Sequence, residues 1–145
     1  MILPYLELVR KTVLPFAQIT PFEKDNLQAV TLQEAALISP ERLHDGQSPF
    51  NILGEQIPKS NTIFVYYVPF QMHRLPRWSY AFTLIHELGH ALAQVRDPSY
   101  HGDHGAFFQL CAYDLGLVQP MGTGRDPMDW KLTTRMAVDS IRSPV

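Results

Sequence analysis

The chain has 145 residues and a mass of 16.6 kDa, the usual size of one domain, so we treat residues 1–145 as a single domain. Hydrophobic residues make up 46% of it and charged residues 18%, which is too apolar for an intrinsically disordered chain. The formal net charge is −2 and the basic residues are scattered, so nucleic-acid binding is not predicted from charge and would need a partner chain. The single cysteine, Cys111, excludes an intrachain disulfide and a cysteine-rich zinc ribbon, and suggests a reducing compartment.

No targeting or membrane segment is predicted. Pro4, Glu7 and Arg10 interrupt the apolar residues at the start of the chain before the core of a signal peptide forms. The longest apolar run, 63–70, has eight residues, whereas a membrane-spanning helix needs about 20. We therefore expect a cytoplasmic protein that does not enter a membrane.

Two helices are predicted in the first part of the chain. Residues 4–14 carry apolar side chains at helical spacing, and Pro15 ends the helix. Thr31 and Glu34 have the spacing of a capping box and favour a helix through 35–38, with a strand through the same apolar residues as the alternative.

Two short strands follow, over 50–57 and 63–68, joined by a tight connection at 58–61. The second strand precedes the longest predicted helix. Two interpretations of this second strand are open: an edge that receives an extended substrate, or a strand buried in the core.

A helix over 80–95 is the clearest element, with Ser79 as its N-cap and Pro98 just beyond its end. Apolar residues recur on one face at steps of three and four, and polar residues share the opposite face. The apolar positions are Phe82, Ile85, Leu88, Leu92 and Val95, and the polar positions are Thr83, His86, Glu87, His90 and Gln94. Shorter helices are predicted over 105–115 and 127–141.

The polar face of the 80–95 helix carries the HExxH pattern, written here His86-Glu-Leu-Gly-His90. Imidazoles at positions i and i+4 stand one turn apart on the same face and can both bind a zinc ion. Glu87 is not needed for coordination and can accept a proton from a metal-activated water as general base. The pattern predicts one zinc ion per chain and hydrolytic chemistry.

A catalytic zinc ion usually has three protein ligands and one water, so a third ligand must come from outside the motif. No glutamate follows Glu87, which excludes zinc proteases whose third ligand is a downstream glutamate, unless an aspartate replaces it. The extended motif HExxHxxGxxH is excluded too, because Ala93 and Arg96 stand where it needs glycine and histidine. His101 and His104 are the only histidines after the motif, and one of them is expected to complete the site.

A second motif, His104-Gly-Ala-Phe-Phe108, opens the next predicted helix. HExxH followed by H-G-x-x-F at the start of a helix resembles the SprT-like zinc metallopeptidases, the group that includes Spartan. The helix ends in Tyr113-Asp-Leu-Gly-Leu117, which is similar to small bacterial and phage proteins of this group. The resemblance covers about residues 60–120.

The resemblance implies an α+β fold with a zincin-like minimal metalloprotease core, in which helices pack on a small, mostly antiparallel sheet and the active-site helix spans about 80–95. It implies a protein or peptide substrate. It implies Glu87 as the catalytic base and, as zinc ligands, His86, His90 and His104. The larger members carry a zinc ribbon and nucleic-acid-binding extensions that this near-neutral chain lacks, so dependence on DNA is not predicted.

The remaining histidines bear on the alternative functions. His101 has no role in the family, and His44 and His73 are expected at the surface. If His101 joined the other three ligands, the zinc site would be closed, and the protein would be a zinc-stabilised binding module without catalysis. A zinc amidase acting on a non-protein substrate is a further alternative.

Three other residues near the motif invite an interpretation. Tyr100 and Tyr113 are candidates for an oxyanion-stabilising group, but packing is the simpler role, and neither is assigned to the catalytic set. Gly89 lies in the middle of a helix, at a cost of about 1 kcal/mol relative to alanine. Close approach of the loop that carries the third ligand would explain it.

Overall fold

A computed structural model describes residues 2–117 of the chain. Its helices are α1 (Leu3–Val13), α2 (Pro21–Gln28), α3 (Tyr67–Met72), α4 (Trp78–Arg96) and α5 (Ala106–Asp114), and its strands are β1 (Thr31–Ala35), β2 (Gly54–Ile57) and β3 (Thr62–Tyr66). Among these residues, no helix combines the length and the apolar character that crossing a bilayer requires. The helix predicted over 127–141 lies outside the described residues.

The three strands form one mixed sheet in the order β1-β3-β2. β3 pairs with β1 in parallel and with β2 in antiparallel orientation. The fold class is α+β, as predicted, but the expectation of a mostly antiparallel sheet is wrong. β3 lies between β1 and β2, and only its hairpin with β2 is antiparallel. β2 runs opposite to β1, and the chain reverses again in the hairpin, so β3 runs parallel to β1.

The helix favoured after Thr31 is wrong, because 31–35 form strand β1. Leu32 lies opposite Ile63 in the register with β3 and is buried in the core, so pairing across the sheet outweighs the local capping signal. The capping box is instead at the start of α2, where the side chains and backbone N–H groups of Thr20 and Glu23 bond reciprocally.

Both predicted strands are shorter than expected. A 3-10 turn at Pro49–Asn51 delays the first strand until Gly54, and α3 begins directly after Tyr66 and ends the second. The tight connection is confirmed as a 3-10 turn at Pro58–Ser60, followed by a left-handed residue. β3 is paired on both sides, so the interpretation of this strand as a substrate-binding edge is wrong, and the edges of the sheet belong to β1 and β2.

α1 confirms the first predicted helix, and α4 confirms the longest one with slightly wider bounds. Ser79 is not its N-cap, because α4 already begins at Trp78 and the Ser79 hydroxyl bonds to the carbonyl of Pro76. The apolar face of α4 joins one core with α1, α5 and the sheet. Its polar face is also covered, since Thr83, Glu87 and His90 are buried. Glu87 and His90 therefore lie in the protein interior, whereas His86 is half-buried and His104 is exposed.

Candidate metal centre

The structure brings the three predicted ligands together. The Nε2 atoms of His86 and His90, which stand one turn apart on α4, are 3.3 Å apart. His104 comes from the segment before α5, and its Nε2 lies 3.2 Å from each of the other two. These atoms form a nearly equilateral triangle on which a metal ion can be held.

The size and chemistry of this triangle fit zinc. Nitrogen ligands bind zinc at about 2.0–2.1 Å, and in a tetrahedral site this places two nitrogens about 3.3 Å apart. Burial, together with the neighbouring histidines, lowers the pKa of His86 to about 4 and that of His90 to about 3. Both imidazoles are therefore neutral near pH 7 and offer a nitrogen lone pair, as metal binding requires.

Hydrogen bonds from both sides hold His104 in place. The side-chain amide of Gln109, one turn into α5, donates to the carbonyl oxygen of His104 at 3.1 Å. The carboxylate of Asp103 accepts the backbone N–H of Gly105 at 2.9 Å. The start of α5 therefore fixes the backbone that presents the third imidazole.

Tyr100 contacts the site through its hydroxyl, a contact that sequence reasoning missed. Its Oη lies 2.7 Å from Nδ1 of His90 and donates to the carbonyl oxygen of Asp103 at 2.5 Å. Burial raises the pKa of this phenol, so the hydroxyl keeps its proton. Tyr113 is about half exposed near the end of α5. The spacing of Tyr100 from the HExxH motif carries no signal that distinguishes this role from packing.

Phe108 supplies the apolar wall of the centre. Its ring centroid lies 4.9 Å from that of His86, 4.3 Å from that of His90 and 5.2 Å from that of His104. A Cβ atom on Gly89 would lie 3.1 Å from Cε1 of Phe108. Gly89 therefore makes room for α5, and the expectation that it admits the loop carrying the third ligand is wrong.

Glu87 is buried beside the sheet. Its pKa is raised to about 8, first by burial and then by the charge of Glu55, and the backbone N–H of Gln56 opposes this shift by stabilising the carboxylate. Gly54 allows β2 to lie close to α4 here, because a Cβ at this position would be 2.6 Å from Cγ2 of Thr83 and 3.4 Å from Cγ of Glu87. The carboxyl group of Glu87, the predicted base, thus lies between its own helix and β2.

The outer edge of β2 lies next to this carboxylate and directs backbone groups away from β3. Tyr66 donates its N–H to the carbonyl oxygen of Leu53 at 2.9 Å, so that pair faces across the hairpin. Residues in an antiparallel pair alternate between facing the partner strand and facing away from it. By the register of the hairpin, Gly54 and Gln56 direct their N–H and C=O groups away from β3.

The other histidines of the described segment lie outside the cluster. His101 is exposed and does not join the three converging imidazoles. His73 contacts the carbonyl oxygen of Phe50 through Nε2 at 2.9 Å. His44 donates its backbone N–H to the side chain of Gln47. Within residues 2–117, the candidate centre therefore has three protein ligands and not four.

Comparison of the chain with protein-family models, with curated proteins and with solved structures finds no match. The geometry of the site and the two sequence motifs are therefore the basis for proposing a function.

Proposed function

We propose that this protein is a zinc metallopeptidase of the SprT-like type, which hydrolyses peptide bonds in a protein or peptide substrate. The observation that carries the proposal is the Nε2 triangle of His86, His90 and His104, with sides of 3.2–3.3 Å. Three protein ligands leave a coordination position open for water or substrate, as in catalytic sites, whereas structural zinc sites usually take four. This difference favours an enzyme over a zinc-stabilised binding module.

The residues of the site divide the chemistry between them. His86, His90 and His104 would hold the zinc ion, which when bound supplies a Lewis acid that polarises a carbonyl group and acidifies water. Glu87 accepts a proton from the attacking water at its carboxylate and delivers it to the leaving amine nitrogen. A divalent cation held by the neighbouring His86 favours the charged carboxylate and opposes the effect of burial on its pKa.

The edge of β2 is the part of the site that favours a polypeptide substrate over a small amide. An extended peptide can add to this edge as a further strand, bonding to the outward backbone groups of Gly54 and to the outward carbonyl of Gln56. The N–H of Gln56 meanwhile interacts with the carboxylate of Glu87. Gln56 thus belongs to the edge of β2 and also contacts Glu87, so a peptide bound to this edge would lie next to the Glu87 carboxylate.

The proposed setting follows from charge and cysteine content. A net charge of −2 with scattered basic residues offers no surface that gathers phosphates, so the substrate we propose is protein without a nucleic-acid requirement. The buried, unpaired thiol of Cys111 is compatible with a reducing compartment, and we propose the cytoplasm.

The test combines zinc content with cleavage of casein on the same samples. The wild type is expected to hold one zinc ion per chain and to cleave casein. Glu87→Gln keeps the shape of the side chain but removes the base, so we expect full zinc content and loss of cleavage by at least 100-fold.

His101→Ala is the matched control for His104→Ala, because both replace a histidine of the same segment and only His104 joins the cluster. We expect His104→Ala to lose zinc and cleavage, and His101→Ala to keep both. Zinc binding without cleavage of any protein tested would favour the binding module or a non-protein amide substrate. Absence of zinc from the wild type would overturn the proposal.

A further inference from the structure

We infer that Tyr100 is a positioning residue whose hydroxyl fixes which nitrogen of His90 faces the metal and ties that ring to the backbone beside His104. The inference deepens the proposed function, since it concerns the assembly of the same three-histidine site. It rests on the two contacts of one buried hydroxyl group, to Nδ1 of His90 and to the carbonyl oxygen of Asp103.

The direction of the two hydrogen bonds follows from their chemistry. The carbonyl oxygen of Asp103 is an acceptor only, so the single proton of the Tyr100 hydroxyl points to it. The hydroxyl oxygen must then accept from Nδ1 of His90, which lies 2.7 Å away and therefore carries the ring proton. A neutral imidazole has one protonated nitrogen, so Nε2 of His90 keeps its lone pair. That is the nitrogen which points into the triangle.

The same hydroxyl also acts on the third ligand. Asp103 is the residue before His104, so its carbonyl belongs to the peptide unit that leads into this ligand. Tyr100 is itself anchored to the end of α4, because its backbone N–H donates to the carbonyl oxygen of Asp97 at 2.9 Å. The hydrogen bonds run from the end of α4 to the backbone of Tyr100, and from the Tyr100 hydroxyl both to the backbone before His104 and to the ring of His90.

The consequence is a coupling between two ligands that are far apart in sequence. Metal-binding histidines usually donate their second ring N–H to a carboxylate, a carbonyl or water, and loss of such a partner typically weakens metal binding 10–100-fold. Here the partner is a tyrosine hydroxyl, which in turn donates a hydrogen bond to a backbone carbonyl. Removal of the hydroxyl frees the His90 ring and loosens the His104 segment in one step.

The test is zinc affinity, measured by competition with a chelator, for the wild type and Tyr100→Phe. This variant keeps the ring and removes only the hydroxyl, and we expect its zinc dissociation constant to rise at least 10-fold. Tyr66→Phe is the matched control, because it also removes a buried hydroxyl with two partners, Arg42 and Glu55, outside the metal cluster. We expect the control to lose stability but to keep its zinc affinity. An unchanged affinity in Tyr100→Phe would overturn the inference.

A double-mutant cycle separates coupling from a simple effect on His90. In a His104→Ala background the two remaining histidines are expected to bind zinc too weakly to retain it on purification, so the affinities are compared by direct titration with excess zinc. The affinity change caused by Tyr100→Phe should then be several-fold smaller than in the wild type. An equal fold-change in both backgrounds would overturn the link to His104. Cobalt(II) absorption spectra of Tyr100→Phe should also differ from those of the wild type, because the ligand geometry changes.

A measurement on the metal-free protein keeps the inference independent of the proposed function. Nitrogen chemical shifts of the His90 ring report which nitrogen is protonated. We expect the proton on Nδ1 in the wild type and a mixture of both tautomers in Tyr100→Phe. A wild-type ring protonated on Nε2 would refute the role of Tyr100, whereas failure of the wild type to bind zinc would refute the proposed function and leave the tautomer measurement to decide.

Discussion

Phe108 stacks against the imidazole of His90, with 4.3 Å between the ring centroids and 26° between the ring planes. The same aromatic ring contacts His86 and His104. One buried side chain of α5 therefore supports all three proposed ligands, and the packing of α5 against α4 helps to determine the geometry of the metal centre.

Phe108→Leu should weaken zinc binding as well as folding. The smaller side chain leaves a gap beneath the imidazoles, and we expect the free energy of unfolding to fall by roughly 1–3 kcal/mol, as measured by urea denaturation. The zinc affinity of the same variant should fall in chelator competition, because the rings lose their support. Phe16→Leu is the control, since Phe16 is 85% exposed, and should change neither quantity by much. Loss of stability with unchanged zinc affinity would contradict the proposed support.

Gly89→Leu should destabilise the contact between α4 and α5. Even a Cβ atom at this position would lie 3.1 Å from Phe108 and 3.5 Å from Cβ of Ala112, so a larger side chain overpacks the interface. We expect the free energy of unfolding to fall by about 1–3 kcal/mol, in spite of the better helix propensity of leucine. The double variant with Phe108→Ala should be more stable than the sum of the single changes predicts, because the truncated ring gives back space. Strict additivity would argue against this contact as the reason for the glycine.

Gly54→Ala should separate the edge strand from α4. Its Cβ would lie 2.6 Å from Cγ2 of Thr83 and 3.1 Å from the backbone carbonyl oxygen of Phe64, so the strand must move. We expect a loss of about 1–3 kcal/mol in thermal or urea unfolding, together with reduced cleavage of casein because Glu87 loses its position beside β2. Thr83→Ser removes the clashing methyl group but keeps the hydroxyl that bonds to Ser79, and should restore part of the stability. The absence of any rescue would show that the clash with Thr83 is not the main effect.

Glu87 should make a contribution to the stability of the metal-free protein that is lost as the pH rises from about 5 to 8. The pKa of Glu87 is raised to about 8 by burial and by the charge of Glu55, above its ordinary value of 4.5. A group whose pKa is higher in the folded state stabilises the protein below its unfolded-state pKa, and this contribution is lost as the pH rises toward the folded value. The expected decrease for one buried carboxyl is on the order of 3 kcal/mol.

Urea denaturation of metal-free Glu87→Gln tests this assignment. Glutamine does not ionise, so the free energy of unfolding of the wild type should fall relative to that of the variant as the pH rises from 5 to 8, since the histidines contribute equally to both. His86 and His90 titrate in the opposite direction, because their lowered pKa values cost stability as the pH falls from 6.5 toward 4. That acid loss should persist in Glu87→Gln. Equal alkaline losses in wild type and variant would mean that another group is responsible.

Arg96 should contribute to stability by joining three helices. Its guanidinium bonds to the carboxylate of Glu23 in α2 at 2.9 Å and to that of Asp114 in α5 at 2.7 Å. Arg96→Met leaves these half-buried carboxylates without their cation, and we expect a loss of about 2 kcal/mol at pH 7.

The pH dependence identifies this mechanism. The hydrogen bond from Arg96 lowers the pKa of Glu23. The stabilisation that this ion pair gives the folded protein is therefore present above pH 4.5 and is lost as the pH falls below that value. The difference between wild type and Arg96→Met should therefore shrink toward pH 4. Arg42→Met, which removes a more exposed ion pair with Glu55, should show a smaller loss at pH 7. A difference that does not change with pH would point to lost packing instead of lost charge.

Local patterns in the sequence were enough to predict α4 and two of the three proposed metal ligands. The helical repeat alone places His86 and His90 on one face, whatever the rest of the chain does, because positions i and i+4 are neighbours in any α-helix. α1 and the turn between β2 and β3 were predictable for the same reason, since their signals lie within a few residues. Elimination also reduced the candidates for the third ligand to two histidines.

The residues by themselves left His101 and His104 open as the third ligand, because both belong to one short segment, and the family resemblance favoured His104. The tertiary structure shows that it is the His104 ring that turns toward α4. It also made 31–35 a strand, since pairing with β3 outweighed the capping signal of Thr31 and Glu34. The position of β2 at an edge of the sheet, the burial of Glu87 and the contact of Tyr100 with His90 likewise depend on contacts between distant segments. Such contacts depend on how residues far apart in the sequence pack together in the fold, and no local repeat specifies this packing.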